Sequence, residues 1–276
     1  MTSEIWGYLF MQKALLAGLI TAVTCPVLGI FIVVRRLSLI GDGLGHMAFA
    51  GVTGGYLLGW YPAFGALLFT VAGAFGIEHL RRKYGDRADM GLAIFFYAGM
   101  ALAIIFSTIT RMPSAGLLGF LFGSILTVSW LDVALIACSA LCVLLFIYKN
   151  FEKLVLLSLN EDIAKVAGVD ANYLNMALSV ISAVAVVSGM MVVGALLVSA
   201  LMIVPVACAD QFKKGFKTTV FLAVIIAVCA VLSGLCFSFY ADIAPGGSII
   251  MSAISFYVLI GMAVGLYREF VKKMAQ

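Results

Sequence analysis

The chain has 276 residues, 64% of them hydrophobic and only 11% charged, with a formal net charge of +4. A soluble domain carries about 25% charged residues, so no soluble core can hide this much apolar surface and the composition implies a polytopic integral membrane protein. The small positive excess is no signature of nucleic-acid binding, because the charges are confined to short connections between apolar runs.

Nine segments are long enough to cross about 30 Å of hydrocarbon at 1.5 Å per residue, near 13–34, 38–59, 62–80, 90–110, 128–148, 172–190, 191–209, 218–239 and 248–267. No basic region precedes the first, so a cleaved signal peptide is not expected. The second, within LSLIGDGLGHMAFAGVTGGYLLG, carries Asp42 and His46. Residues four apart share a helical face, and a carboxylate beside an imidazole is half of a divalent-metal site. An ionisable side chain within a span costs about 2.5–3.5 kcal/mol on insertion scales and marks a functional position. The blander reading puts Asp42 at the membrane surface and lets His46 hydrogen-bond a neighbouring helix. Gly41, Gly43 and Gly45 leave the backbone around the pair open to close approach, and Gly51, Gly55 and Gly59 offer a flat face for packing.

Trp60-Tyr61-Pro62 reads as a tight turn with aromatic interface anchors. Glu78 and His79 read as interface polarity. After Arg111-Met-Pro-Ser, the short run GLLGFLFGS suits an interfacial or re-entrant helix. Asp132 and Asp242 read as charges at helix ends. In SLNEDIAKVAGVDANY, Asn160 can cap a short helix, Glu161 and Asp162 suit the positive end of its dipole, and Gly168 can end it. Ile163, Val166 and Ala167 then form an apolar side with Lys165 on another. The sixth and seventh spans nearly touch at Ser188-Gly189-Met190, and Pro205 should kink the seventh. The cysteines at 25, 138, 142, 208, 229 and 236 all lie in apolar segments and form no C-x-x-C.

Fifteen of the seventeen basic residues fall on one side of this arrangement, leaving only Lys13 and Arg111 on the other. By the positive-inside rule the N-terminus lies outside and the C-terminus in the cytosol. The expected fold is therefore an all-α transmembrane bundle of about nine spans, a single domain over 1–276, with a short cytosolic helix near 160–168. No P-loop, H-E-x-x-H or dinucleotide fingerprint occurs in the sequence.

Taken together, LSLIGDGLGHMAFAG (37–51), ADMGLAIFFYAGMALAI (88–104), LFGSILTVS (121–129), EDIAKVAGVD (161–170), VGALLVSALMIVPVACA (193–209) and DIAPGGSII (242–250) resemble one family. They are similar to the membrane permease subunit of bacterial ABC importers for zinc, manganese or iron, the ABC-3 type. The resemblance implies that Asp42 and His46 bind the transported metal. It also implies that the helix around Glu161, Asp162, Ile163, Lys165, Val166 and Gly168 docks on a separate ATPase. The implied assembly is two copies of the chain in the bacterial cell membrane, cytosolic ABC ATPase subunits that bind ATP, and an extracytoplasmic metal-binding protein. It holds no permanently bound cofactor and no nucleic acid; the cargo is Zn²⁺, or Mn²⁺ or Fe²⁺. The GDGL-x-H-x-x-FAG form looks closer to the zinc-type branch. Rival expectations are an ion-gradient-driven carrier with Asp42 as a proton site, a non-transporting membrane partner, and a permease for an iron chelate.

Overall fold

A computed structural model of the chain describes residues 8–84, 88–111, 114–123 and 128–274. Arg87 and residues 124–127, which entered the charge and motif arguments, lie outside the described residues. Those described form helices and no strand: α1 (Leu9–Val34), α2 (Ile40–Leu58), α3 (Pro62–Tyr84), α4 (Ala88–Thr110), α5 (Ser114–Phe122) and α6 (Trp130–Leu159). The short α7 (Glu161–Val166) follows, then α8 (Ala171–Val193), α9 (Ala195–Asp210), α10 (Phe216–Ala241) and α11 (Pro245–Met274).

Seven of these, α1, α3, α4, α6, α8, α10 and α11, are long and apolar enough to cross a membrane by length and composition. The expectation of nine spans differs at α2 and α9. In α2, six glycines together with Asp42 and His46 dilute the apolar character. In α9, only 16 residues follow the break from α8. Both are interior helices, shielded by their neighbours.

The centre of the bundle is α2. Every residue from Ile40 to Gly55 is buried except Asp42 and His46. A helix apolar on all sides belongs in the middle of a bundle, and glycine lets its neighbours reach the backbone. A Cβ built on Gly51 would lie 2.7 Å from Ala66 Cα, and one on Gly99 of α4 would lie 2.7 Å from the His46 carbonyl carbon. Gly73 of α3 meets Met47, Leu92 of α4 lies by Gly43, and Phe106 lies by Gly54. These pairs run α3 antiparallel and α4 parallel to α2. On a third side Gly41 and Gly45 face Ser199 and Ala195 of α9.

Two glycines act through backbone conformation. Gly59, expected on the packing face, has nothing within 4 Å of a built Cβ and instead ends α2 in the left-handed region at φ 70°. The turn between α8 and α9 lies at Gly194, five or so residues beyond the expected Ser188–Met190. Ser188 stays helical because its hydroxyl donates back to the Val184 carbonyl at 2.7 Å, whereas Gly194 takes φ 91° and ψ 149°, a region reserved almost wholly for glycine. Helix α9 runs unbroken through Pro205.

Helix α5, expected to be interfacial or re-entrant, is a short helix of nine residues that packs into the bundle. Its Phe120 and Leu121 pack against Phe49, Ala50 and Ala103 of α2 and α4. It stops at Gly123, where a Cβ would lie 2.6 Å from the Val193 carbonyl carbon. Gly246, in the first turn of α11, reaches the Phe122 carbonyl in the same place. Helix α6 overshoots its expected end at 148, running 30 residues to Leu159. At 1.5 Å per residue that is about 45 Å, well beyond the hydrocarbon layer. Its first turn is closed by a capping box: Asp132 N donates to Ser129 Oγ at 3.2 Å and Ser129 N to Asp132 Oδ2 at 2.9 Å. Asp132 is thus a helix cap, a role the S-x-x-D spacing would have disclosed.

Replacing Gly51 by Ala should force α2 and α3 apart and destabilise the protein by about 1–3 kcal/mol, the usual cost of overpacking. Thermal unfolding of the detergent-solubilised protein should show a lowered Tm for Gly51→Ala and no comparable change for Gly59→Asn, at a position where space is open.

Candidate metal-transport site

Asp42 and His46 stand one turn apart on the only part of the Ile40–Gly55 stretch that is not buried. They line a cavity of about 10 Å³ with Gly45, Leu121, Ala195, Leu196 and Ser199. That is about the space one water-sized sphere needs. Its walls come from the first turns of α2, the end of α5 and the first turns of α9. The His46 ring sits edge-on to Phe96 of α4 at 4.3 Å between centroids. Its Nδ1 is buried without a hydrogen-bond partner. An imidazole nitrogen left so costs free energy unless something is bound there, and a cation is the ligand its lone pair suits.

Among the described residues no group of three His, Cys, Asp or Glu is close enough to hold a metal ion. One chain therefore offers one carboxylate and one imidazole, with the Ser199 hydroxyl in the same cavity. Zn²⁺ and Mn²⁺ both accept such oxygen and nitrogen donors. The structure brings Asp42 and His46 to one cavity.

The other expected residues gather about α7, at the end of the bundle that carries most of the basic side chains. Asn160 caps the helix, its Oδ1 accepting from Asp162 N and Ile163 N at 3.0 Å each. Gly168 ends it at φ 78°, with Val169 N donating to the Ala164 carbonyl at 3.0 Å. Ala164 is fully buried and pins α7 to the bundle. Ile163 is 56% exposed and Val166 91% exposed, and Ala167 beside them is also open. Asp162, Lys165 and Gly168 are exposed as well, with Lys165 on the Glu161 side of the helix as an i+4 partner.

Glu161 points the other way. Its Oε2 lies 3.7 Å from Arg35 Nη2 and 3.8 Å from Arg81 Nη1, and its Oε1 lies 3.2 Å from Lys165 Nζ. The Arg35 side chain, at the end of α1, is only 7% exposed. Burial pushes its guanidinium down, the like charge of Arg81 pushes it further, and Glu161 and Glu78 partly offset them, leaving it at about 10. It stays cationic at neutral pH.

Glu78 departs from the expectation of interface polarity. Its side chain is 2% exposed and receives a fork from Arg81, whose Nε and Nη2 donate to Oε2 and Oε1 at 2.9 Å each. Arg82 Nε adds a third hydrogen bond at 3.3 Å, and Arg82 Nη2 donates to the Asn172 carbonyl of α8 at 2.9 Å. A buried carboxylate is tolerable when it is bound in this way. Its neighbour His79 is exposed. The i+3 and i+4 spacing of Glu78 to Arg81 and Arg82 was the available signal for this cluster. No comparable signal marks Phe96, Leu121 or Ser199 around the cavity.

The profile of the ABC 3 transport family matches residues 7–264. The chain belongs to that family. A probable metal transport system membrane protein of Treponema pallidum is 33% identical, over 87% of this chain and 90% of that protein. The manganese import system permease protein ScaB of Streptococcus gordonii is 30% identical over 90% of each. The high-affinity zinc uptake system membrane protein ZnuB of Haemophilus influenzae is 26% identical over 89% of this chain and 94% of that one. Among solved structures, PsaBC of Streptococcus pneumoniae in complex with Fab superposes with a TM-score of 0.83 at 28% identity, covering 94% of this chain and 95% of its own. This member of the ABC 3 transport family is thus a multi-pass membrane protein of metal transport.

Within it, the charge cluster should respond to acid. Burial pushes the Glu161 carboxyl up, but the hydrogen bond from Lys165 and the charges of Arg81, Lys165 and Arg35 outweigh this and hold it below its ordinary 4.5. A carboxyl depressed in the native state contributes stability that is present above 4.5 and lost as pH falls through the native value. Amide hydrogen exchange in α7 should therefore accelerate on acidification across that window, relative to α8, and should lose this pH dependence in Glu161→Gln.

Proposed function

We propose that the chain is the permease subunit of an ATP-driven importer of a divalent transition-metal ion. Two copies form the pathway, separate ATPase subunits bind α7 from the cytosol, and an extracytoplasmic binding protein delivers the metal. The chain then crosses the membrane nine times, through α1, α2, α3, α4, α6, α8, α9, α10 and α11, with its N-terminus outside. The observation that carries the reading is the placement of Asp42 and His46. On a helix otherwise buried from Ile40 to Gly55, only the two metal-ligating side chains reach the cavity.

The ion binds through Asp42 and neutral His46, and the second copy, water or Ser199 completes the shell. Such an incomplete set suits a transporter, which must release what it binds. Zinc is the first cargo to test, because the oxygen–nitrogen pair follows a binding order that favours zinc over manganese. Manganese is the competing cargo, supported by the similarity to ScaB. ATP coupling rests on α7, whose outward Ile163 and Val166 have no partner in the bundle and suit a groove on a soluble subunit.

Asp42→Asn and His46→Ala should each abolish uptake in vesicles holding the full importer, while insertion and ATPase co-purification persist. Transport at the normal rate by either variant at low metal concentration would remove the site assignment. Uptake of zinc and manganese in mutual competition ranks the cargoes in the same assay.

Ile163→Asp or Val166→Asp should shed the ATPase, since an unpaired charge buried in an apolar contact costs several kcal/mol. Uptake would fall with it. A gradient-driven carrier would tolerate both substitutions, since they would fall on a solvated surface, and would lose uptake to an uncoupler instead.

A further inference from the structure

We propose that Glu161 is the residue through which movement of α7 reaches the metal-bearing helix, rather than part of the surface that grips the ATPase. The inference rests on the importer reading above and specifies how its two ends communicate.

The route can be followed through named contacts. Glu161 opens α7 and faces inward, its Oε2 3.7 Å from Arg35 and 3.8 Å from Arg81. Arg35 closes α1 and stands in the turn that leads to α2, seven residues before Asp42. That turn is conformationally fixed: Leu37 N donates to the Ile32 carbonyl at 3.0 Å, and Arg36 is held at φ 58°. A pull on Arg35 therefore acts on the start of α2 without a slack segment between. Arg81 leads the other way, through its double hydrogen bond to Glu78, into α3. Helix α3 meets the α2 backbone at Gly51. One carboxylate thus joins α7 to the end of α1 that leads into α2 and to α3, which packs against α2.

The remaining links between α7 and the bundle are of another kind. Ala164 packs and Val169 is partly buried, contacts without direction. Lys165 bonds Glu161 and Asp162 within its own helix, and its side chain is 52% exposed. Those pairs orient the carboxylate but lead nowhere. Only Glu161 carries charge from α7 into α1 and α3, and its two guanidinium partners lie on different helices. That geometry transmits displacement, because α7 cannot shift without drawing on both.

The test uses the full importer in vesicles, with wild type, Glu161→Gln and, on the other side of the contact, Arg35→Gln. Three quantities are read: ATPase co-purification, ATP hydrolysis, and zinc or manganese moved per ATP. In place of Glu161, glutamine keeps the volume and removes the charge. Glu161→Gln should retain the ATPase and hydrolyse ATP, while metal moved per ATP falls about tenfold, within the range of coupling between sites. Arg35→Gln should lower metal moved per ATP in the same direction, with the ATPase retained. Unchanged metal per ATP in Glu161→Gln would overturn the proposal, and so would loss of the ATPase, which would make Glu161 a docking residue. Should Glu161→Gln fail to insert, Arg35→Gln decides: lowered metal per ATP with the ATPase retained supports the link, and unchanged metal per ATP or loss of the ATPase overturns it. Failure of the importer reading itself shows separately, as absence of ATP-dependent uptake by the wild-type assembly.

Discussion

The arrangement depends on how closely other backbones can approach α2. Within a bilayer there is little hydrophobic gain in bringing two apolar helices together, so packing and close contact must hold them. Helix α2 meets this by having almost no side chains where neighbours cross it. Gly51 lies against Gly65 and Ala66, and Gly99 of α4 lies on the backbone of His46 and Met47. Three neighbours locked on one helix leave it no freedom to turn about its own axis. The rotation of Asp42 and His46 is therefore fixed by contacts made elsewhere along α2, which is why two ionisable groups can be held toward a small cavity in an apolar bundle.

The other walls of that cavity are helix ends, and ends can move where α2 cannot. Irregular backbone is tolerated at membrane depth only where protein surrounds it. Here the end of α5, the α8–α9 break and the start of α11 supply that surrounding for one another, through Gly123, Gly194 and Gly246. Leu121 lies two residues before the first glycine and Ala195 one after the second, and both line the cavity with Asp42 and His46. Any change at this junction therefore acts on the cavity directly.

Much of this was legible in sequence, for reasons tied to single residues. Asp42 and His46 stand out because charge is expensive in an apolar run. Asn160 and Gly168 delimit α7 because their chemistry is local, needing no partner beyond the next turn. What escaped was long-range or depended on competition between equals. Gly51, Gly55 and Gly59 look alike in sequence, but Gly55 contacts Pro62 and Gly65 while Gly59, at the end of the helix, has only a turn to make. Ser188-Gly189-Met190 looks like a turn, yet a hydroxyl bonded to its own helix and a second glycine further on moved the break to Gly194. Glu78 and His79 read as one polar pair, although adjacent helical positions point about 100° apart and only one faces the bundle. Phe96, Leu121 and Ser199 carry no signal at all, because only the fold brings α4, α5 and α9 to the same place.

A site of two ligands on a rigid helix places a further demand on the rest of the chain. If the metal binds Asp42 and His46 as proposed and α2 does not turn, affinity must change through what completes the coordination shell or through the tilt of α2 as a unit. Tilt is governed at its ends. One end stops at Gly59 and runs within three residues into α3, against which Gly51 and Gly55 pack, so it is tied to that helix. The other follows directly from Arg35, whose side chain is buried and held by a carboxylate on α7, a helix that is mostly exposed. Force applied at that surface thus enters α2 beside Asp42 and His46. The position of Asp42 in the first turn, rather than midway along the helix, puts it where such a movement is felt first.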